Sequence, residues 1–114
     1  MWPDVTKLKI FIRPGVTDFR KQINGLVLLV QHSMQRNPLD GSLYVFCSKD
    51  RKQIKMIYWD YNGFSLFQKR LERDKFPWPD NQNSIDQLTT EELSMIFSGI
   101  DFRKRFQVLN YQRA

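Results

Sequence analysis

With 114 residues, 41% of them hydrophobic and 14% aromatic, the chain can bury a core as one domain but is too short for two, and its composition excludes a largely disordered protein. One cysteine, Cys47, and one histidine, His32, exclude an internal disulfide and a four-ligand zinc site, so no metal and no cofactor are expected and a reducing cytoplasm is the expected setting. The start, Met1-Trp2-Pro3-Asp4, has no signal pattern, and the longest apolar stretch, Leu26 to Val30, is far below the ~20 residues that span a bilayer. The net charge of +6 is unevenly placed: residues 1–75 carry 14 Lys/Arg against 7 Asp/Glu, residues 76–102 carry 5 acids and no base, and residues 103–114 carry 4 bases and no acid. A basic body of this kind attracts polyanions through counterion release, which makes nucleic acid the first partner to consider.

Along the chain, Lys7 to Arg13 alternates, Leu8, Ile10 and Ile12 opposing Lys7, Lys9 and Phe11, which predicts a half-buried strand ended by Pro14-Gly15. Thr17 or Asp18 offers an N-cap, and Phe19, Ile23, Leu26, Val27, Val30 and Met34 recur at helical steps to about Gln35. Gly25 in the middle costs about 1 kcal/mol against Ala, which suggests close approach by another backbone. After the turn at residues 37–41, Ser42 to Cys47 and Gln53 to Asp60 alternate as a hairpin. Asn62-Gly63 then predicts a two-residue turn with positive φ at both positions, leading into a third strand, Phe64 to Leu71. In Phe76-Pro77-Trp78-Pro79 the prolines hold the chain extended so that the rings plug against the body. Thr89-x-x-Glu92 is a capping box, Leu88 and Leu93 sit at staple positions, and Gly99 is the expected stop of a second helix. The expected fold is α+β: one domain over 1–114, with a core of about 5–102 and a fraying basic tail at 103–114. An antiparallel meander plus the N-terminal strand packs with two helices.

A two-residue turn at Asn62-Gly63 sets Trp59 against Leu66, Ile57 against Gln68 and Lys55 against Arg70, with Cys47 near Ile54 in the first hairpin. One face then carries Leu43, Val45, Cys47, Ile54, Met56, Tyr58, Phe67, Lys69 and Leu71 and is the better core candidate. The other mixes Tyr44, Phe46, Ile57, Trp59 and Leu66 with Lys55 and Arg70. Aromatic rings beside cations suit base stacking and phosphate neutralisation; the plainer alternative, which is favoured, is that a helix covers this face and the cations sit at its rim. No phosphate loop, paired-histidine motif or nucleophile elbow occurs. Asp18, Asp60, Glu72 and Asp101 could meet as a nuclease-like metal cluster, but each has a simpler role at a cap, strand end, ion pair or helix stop. His32 reads as a surface residue and Cys47 as a small buried hydrophobe.

These segments resemble one family, the TnpB-type accessory protein of insertion-sequence-66 transposons. The resemblance rests on Pro14-Gly15-Val16-Thr17-Asp18-Phe19-Arg20-Lys21, Asn24-Gly25-Leu26 and Gly41-x-Leu43-x-Val45-Phe46. It continues in Lys55 to Leu71 (KMIYWDYNGFSLFQKRL), Glu72-Arg73, Phe76-Pro77-Trp78-Pro79 and Gly99-Ile100-Asp101-Phe102-Arg103. Lys49-Asp50-Arg51-Lys52 departs from the family pattern, where relatives are richer in Arg and Gly. The resemblance implies a helper of the element's transposase in DNA transposition, with no catalytic residues to transfer. Candidate nucleic-acid contacts therefore come from the residues themselves: Arg13, Arg20, Lys21, Lys55, Lys69, Arg70 and Arg73 for phosphates and Trp59 for stacking. The alternative is a protein-interaction module docking on the transposase or another accessory subunit without touching DNA, motivated by the apolar face and the acidic 76–102 segment.

Overall fold

A computed structural model describes residues 7–80 and 86–98. The expected stop at Gly99, Asp101 and the basic tail lie outside these residues. The elements are β1 (Ile10–Ile12), α1 (Ile23–Leu28), a π-helical turn at Leu29–Ser33, β2 (Leu43–Cys47), β3 (Gln53–Asp60), β4 (Gly63–Arg70), β5 (Gln87–Leu88) and α2 (Thr90–Phe97). The five strands form one sheet in the order β4-β3-β2-β1-β5. The meander β2-β3-β4 is antiparallel as expected. β1 pairs parallel with β2, so the chain between them crosses over through α1, while β5 closes the far edge antiparallel to β1. The fold is thus α+β with a mixed sheet.

Side-chain alternation decides which face each strand buries. Ile10, Ile12, Leu43, Val45, Cys47, Ile54, Met56 and Tyr58 join Phe76, Trp78, Leu88, Leu93 and Ile96 in the larger core. Phe11, Tyr44, Phe46 and Ile57 meet Leu26 and Val30 on the other side. A helix therefore covers the aromatic face. The larger core is closed by the 76–79 strap, whose prolines prevent a further strand and whose Trp78 indole donates to the carbonyls of Arg13 (3.0 Å) and Gly15 (2.9 Å). Gly15 (φ 81°) donates in turn to the Pro79 carbonyl, 2.8 Å away. α2 begins with the capping box: the Thr89 hydroxyl accepts from the Glu92 N–H, and the Glu92 carboxylate accepts from the Thr89 N–H. Its Leu88 and Leu93 staple is buried.

Three expectations are corrected. The first helix does not begin at Thr17 or Asp18. Thr17 is extended, bridged to Ser48 with its N–H on the Cys47 carbonyl. The Asp18 carboxylate accepts from the Arg20 N–H in a turn, and the Lys55 ammonium takes the Phe19 and Lys21 carbonyls. With these groups engaged elsewhere, α1 starts only after Gln22, which supplies no side-chain cap, and it widens into the π turn, where Met34 N–H reaches the Leu29 carbonyl. At Gly25 the close neighbour is a side chain of its own segment, since an added Cβ would lie 3.0 Å from Lys21 Cβ. Finally, the β3–β4 turn is centred on Tyr61 and Asn62. Asp60 pairs with Gly63, Tyr61 has φ 60°, and Asn62 N–H bonds the Asp60 carbonyl in a γ-turn. The register is displaced by two residues, so Trp59 opposes Phe64, Ile57 opposes Leu66 and Lys55 opposes Gln68. Because side chains alternate with period two, the expected faces survive the shift. The first hairpin keeps its expected register, Cys47 opposite Ile54.

Candidate nucleic-acid interface

One end of the sheet gathers most of the lysines and arginines among the described residues. The Thr17–Ser48 bridge sets residues 17–21 beside the β2–β3 turn, and Gln53 opposes Arg70. Leu71 N–H bonds the Lys52 carbonyl, and Phe76 N–H bonds the Arg51 carbonyl. Three basic segments, 17–21, 48–53 and 69–76, converge there because strand pairing leaves their connections at the same end. An open depression of about 410 Å³ between two of them is lined by Thr17, Asp18, Phe19, Arg20, Ser48, Lys49, Asp50 and Gln53.

The expected phosphate contacts divide sharply within this frame. The Arg20 side chain is 90% exposed and pairs with Asp18 at 2.6 Å. That hydrogen bond, the Arg20 N–H and, more weakly, nearby Lys49 hold the Asp18 carboxyl well below the usual carboxylate range. The Arg70 side chain, 65% exposed, pairs loosely with exposed Glu72 at 3.0 Å. Lys21 and Arg73 are exposed. Such surface pairs hold little energy in water and can open to accept a phosphate. Lys69 lies on the opposite face, its ammonium 5.3 Å from the Phe97 ring.

Two of the eight candidates are built into the fold. Lys55 is 2% exposed, and its ammonium donates to the carbonyls of Phe19 (3.1 Å) and Lys21 (2.9 Å) with the Phe19 ring 4.9 Å away. Burial lowers its pKa. It pins the 17–22 segment to the sheet and does not face solvent. Arg13 spends its guanidinium on the Ser33 hydroxyl (3.1 Å), the Val16 carbonyl (2.9 Å) and the Thr17 hydroxyl (3.2 Å). It joins the end of β1 to the π turn.

The aromatic face is covered by a helix, as the favoured reading has it, and stacking there is closed off. Tyr44, Phe46 and Ile57 are fully buried under α1 and the π turn, with the Tyr44 hydroxyl on the Asp40 carboxylate at 2.9 Å. Trp59 remains half-buried, edge-on to Phe64 at 5.0 Å, but it sits near the β3–β4 turn, about 20 Å along the strand from the basic end. The structure therefore does not bring Trp59, Lys55 and Arg70 together. Lys49 and Lys52, which stand out in the sequence only as part of the departure from the family pattern, are not among the eight candidates; the Gln53–Arg70 pairing makes them neighbours of the candidate site. A correct hairpin register was the signal that could have found them.

Among the described residues no three His, Cys, Asp or Glu side chains are placed to hold a metal ion. Cys47 is buried and free, and burial pushes its thiol up to about 12, far from a nucleophilic thiolate. No helix among the described residues is long and apolar enough to cross a membrane.

The family described as "IS66 Orf2 like protein" matches residues 8–107. Two similar proteins of Sinorhizobium fredii (strain NBRC 101917 / NGR234) carry the titles "Uncharacterized protein y4hO" and "Uncharacterized protein y4jC". The first is 38% identical over 103 residues, covering 90% of each chain, and the second 34% identical over 97 residues, covering 85% of this chain and 83% of the other. No solved structure matches. By the span of the family match and the identity of these relatives, the chain belongs to the IS66 Orf2-like family.

Proposed function

We propose that this protein is a non-catalytic accessory of DNA transposition, working in the cytoplasm, that holds the nucleic-acid backbone at the basic end of its sheet and so assists the element's transposase. The family suggests the transposition role. The observation that carries the binding mode is the convergence of Arg20, Lys21, Lys49, Lys52, Arg70 and Arg73 on three segments joined by strand pairing. Arginine and lysine spread over a rigid end, with the aromatic face closed, favour contact with phosphates over reading of stacked bases. Lys69 flanks this end from the other face, while Arg13 and Lys55 support it from inside.

The test is fluorescence anisotropy with labelled single- and double-stranded DNA across a salt series. If about five phosphates are neutralised, log affinity should fall against log salt with a slope of roughly −4 to −5 on duplex. Absence of binding at low salt would sink the proposal. It would favour docking on the transposase through the acidic side instead, a reading supported by residues 76–98, which hold Asp80, Asp86, Glu91 and Glu92 and no Lys or Arg.

A further inference from the structure

The two edges of the sheet are unequal. One is closed by β5, two residues long and followed by α2. The other is β4, eight residues in unbroken register with β3 from Gly63 to Arg70, with no bulge, no proline and, from Gly63 to Gln68, no charge. Its apolar side chains are not fully covered: Phe64 and Leu66 are half-buried and Phe67 is 40% exposed. Soluble proteins usually interrupt such an edge with charge, proline or a bulge, because its free N–H and C=O groups are a template for another strand.

Among the described residues β4 has no strand on its outer side, and the pairing pattern shows which of its groups face outward. Leu71 N–H bonds the Lys52 carbonyl, so in this antiparallel ladder the odd-numbered residues of β4 bond to β3. The backbone groups of Phe64, Leu66, Gln68 and Arg70 point away from the sheet.

We propose that β4 is the interface of a symmetric dimer, in which two copies of this chain pair their β4 strands antiparallel and join their sheets into one of ten strands. Only even-numbered residues present free groups, which restricts the register, and charge selects among the permitted ones. With Leu66 opposite Leu66 of the second copy, Phe64 lies opposite Gln68, and Lys69 lies opposite Gly63. Gly63 is itself paired with Asp60 on β3, and all three positions share one face. Two strand spacings separate Lys69 of one copy from Asp60 of the other, about 10 Å between Cα atoms. Gly63, having no side chain, leaves the way between them open. Lys69, which in the single chain reaches toward the Phe97 ring, gains a carboxylate, and the two-fold axis makes this pair twice. A register displaced by two residues sets Lys69 against Ser65 and loses it. The antiparallel arrangement also sends the two Arg70 residues to opposite ends of the ladder, about 27 Å apart, where a parallel one would crowd them.

The experiment is the molar mass of the full chain in solution, by light scattering after gel filtration at tens of micromolar. The wild type should give twice its 13.7 kDa. Gln68→Pro removes an N–H that points outward, so it leaves the β3–β4 ladder intact while denying the second copy a donor. It should run as a monomer with the wild-type circular dichroism. A monomeric wild type, or a folded Gln68→Pro that stays dimeric, overturns the proposal. If Gln68→Pro does not fold, the charge pair decides: Asp60→Lys should weaken the dimer about tenfold, and Asp60→Lys combined with Lys69→Asp should restore it. A double variant no tighter than Asp60→Lys alone also overturns it.

Discussion

On one side of the sheet, Phe76, Trp78, Leu88, Leu93 and Ile96 close an apolar core in which the Trp78 indole nitrogen donates to two carbonyls. On the other, Leu26 and Val30 close a smaller core whose border is held by an ammonium group, Lys55 between the carbonyls of Phe19 and Lys21. The first closure is carried by buried area and by local signals: prolines, a capping box and a staple. The second depends on a contact between residues 34 and 36 positions apart. The lesson is that a cation on a mixed aromatic face can be there to anchor a segment lacking a helix cap, and not to meet a ligand.

Substitutions that weaken one closure and spare the other test this contrast. The largest effect is expected from Trp78→Ala, which empties a fully buried site and orphans two carbonyls. A loss of about 3–5 kcal/mol in urea denaturation follows from truncating a buried tryptophan, and a loss under 1 kcal/mol would mean the strap is not part of the core. Next comes Lys55→Met, which keeps much of the packing but leaves the Phe19 and Lys21 carbonyls without their donor, at about 1–3 kcal/mol. Hydrogen exchange should then quicken over residues 17–22 before it changes in α2.

Lys55 also carries a pH signature. Burial lowers its folded pKa, so above that pKa the folded chain has released a proton that the unfolded chain keeps until 10.5. Stability therefore rises with pH in that window. The wild type should gain on Lys55→Met as pH approaches 10.5, and parallel profiles would show that the ammonium is not desolvated.

Smaller effects follow. Thr89→Ala removes the hydroxyl of the capping box and should cost about 1 kcal/mol in thermal unfolding, with the 17–22 segment unaffected. Gly25→Ala sets a helix-propensity gain of about 1 kcal/mol against the 3.0 Å approach to Lys21 Cβ, so the net change should stay within about 0.5 kcal/mol. A loss above 2 kcal/mol would show that Lys21 cannot yield.

Elements whose cause is local were legible in the sequence. The Thr89–Glu92 box, the 76–79 strap, the three meander strands and the Cys47–Ile54 register were all read from neighbouring residues. What escaped is non-local. The parallel pairing of β1 with β2 is invisible in either strand's alternation, and β5 is two residues whose ladder exists only because β1 lies beside it. The start of α1 was misplaced because the Thr17 N–H and the Phe19 and Lys21 carbonyls find partners on distant strands. The β3–β4 turn was placed one residue late, which displaces the register by two, because Asn-Gly is the stronger two-residue turn signal, whereas here Tyr61 takes the positive φ. Among the candidate contacts, exposed Arg20, Lys21, Arg70 and Arg73 could be read from charge alone. The burial of Lys55 and the engagement of half-buried Arg13 could not, because nothing in a single sequence says which carbonyls and hydroxyls a cation will meet.

The most direct test of the proposed interface compares duplex-DNA affinity, at one fixed low salt concentration, for wild type, Lys49→Glu/Arg70→Glu and Trp59→Ala. If the basic end of the sheet binds the backbone, the double charge reversal should weaken binding by at least about a hundredfold, consistent with the loss and reversal of two phosphate contacts, while Trp59→Ala stays within about threefold of wild type. The opposite pattern, affinity lost with Trp59 and kept in the double reversal, would contradict the account and return function to the aromatic residue at the far end of the sheet.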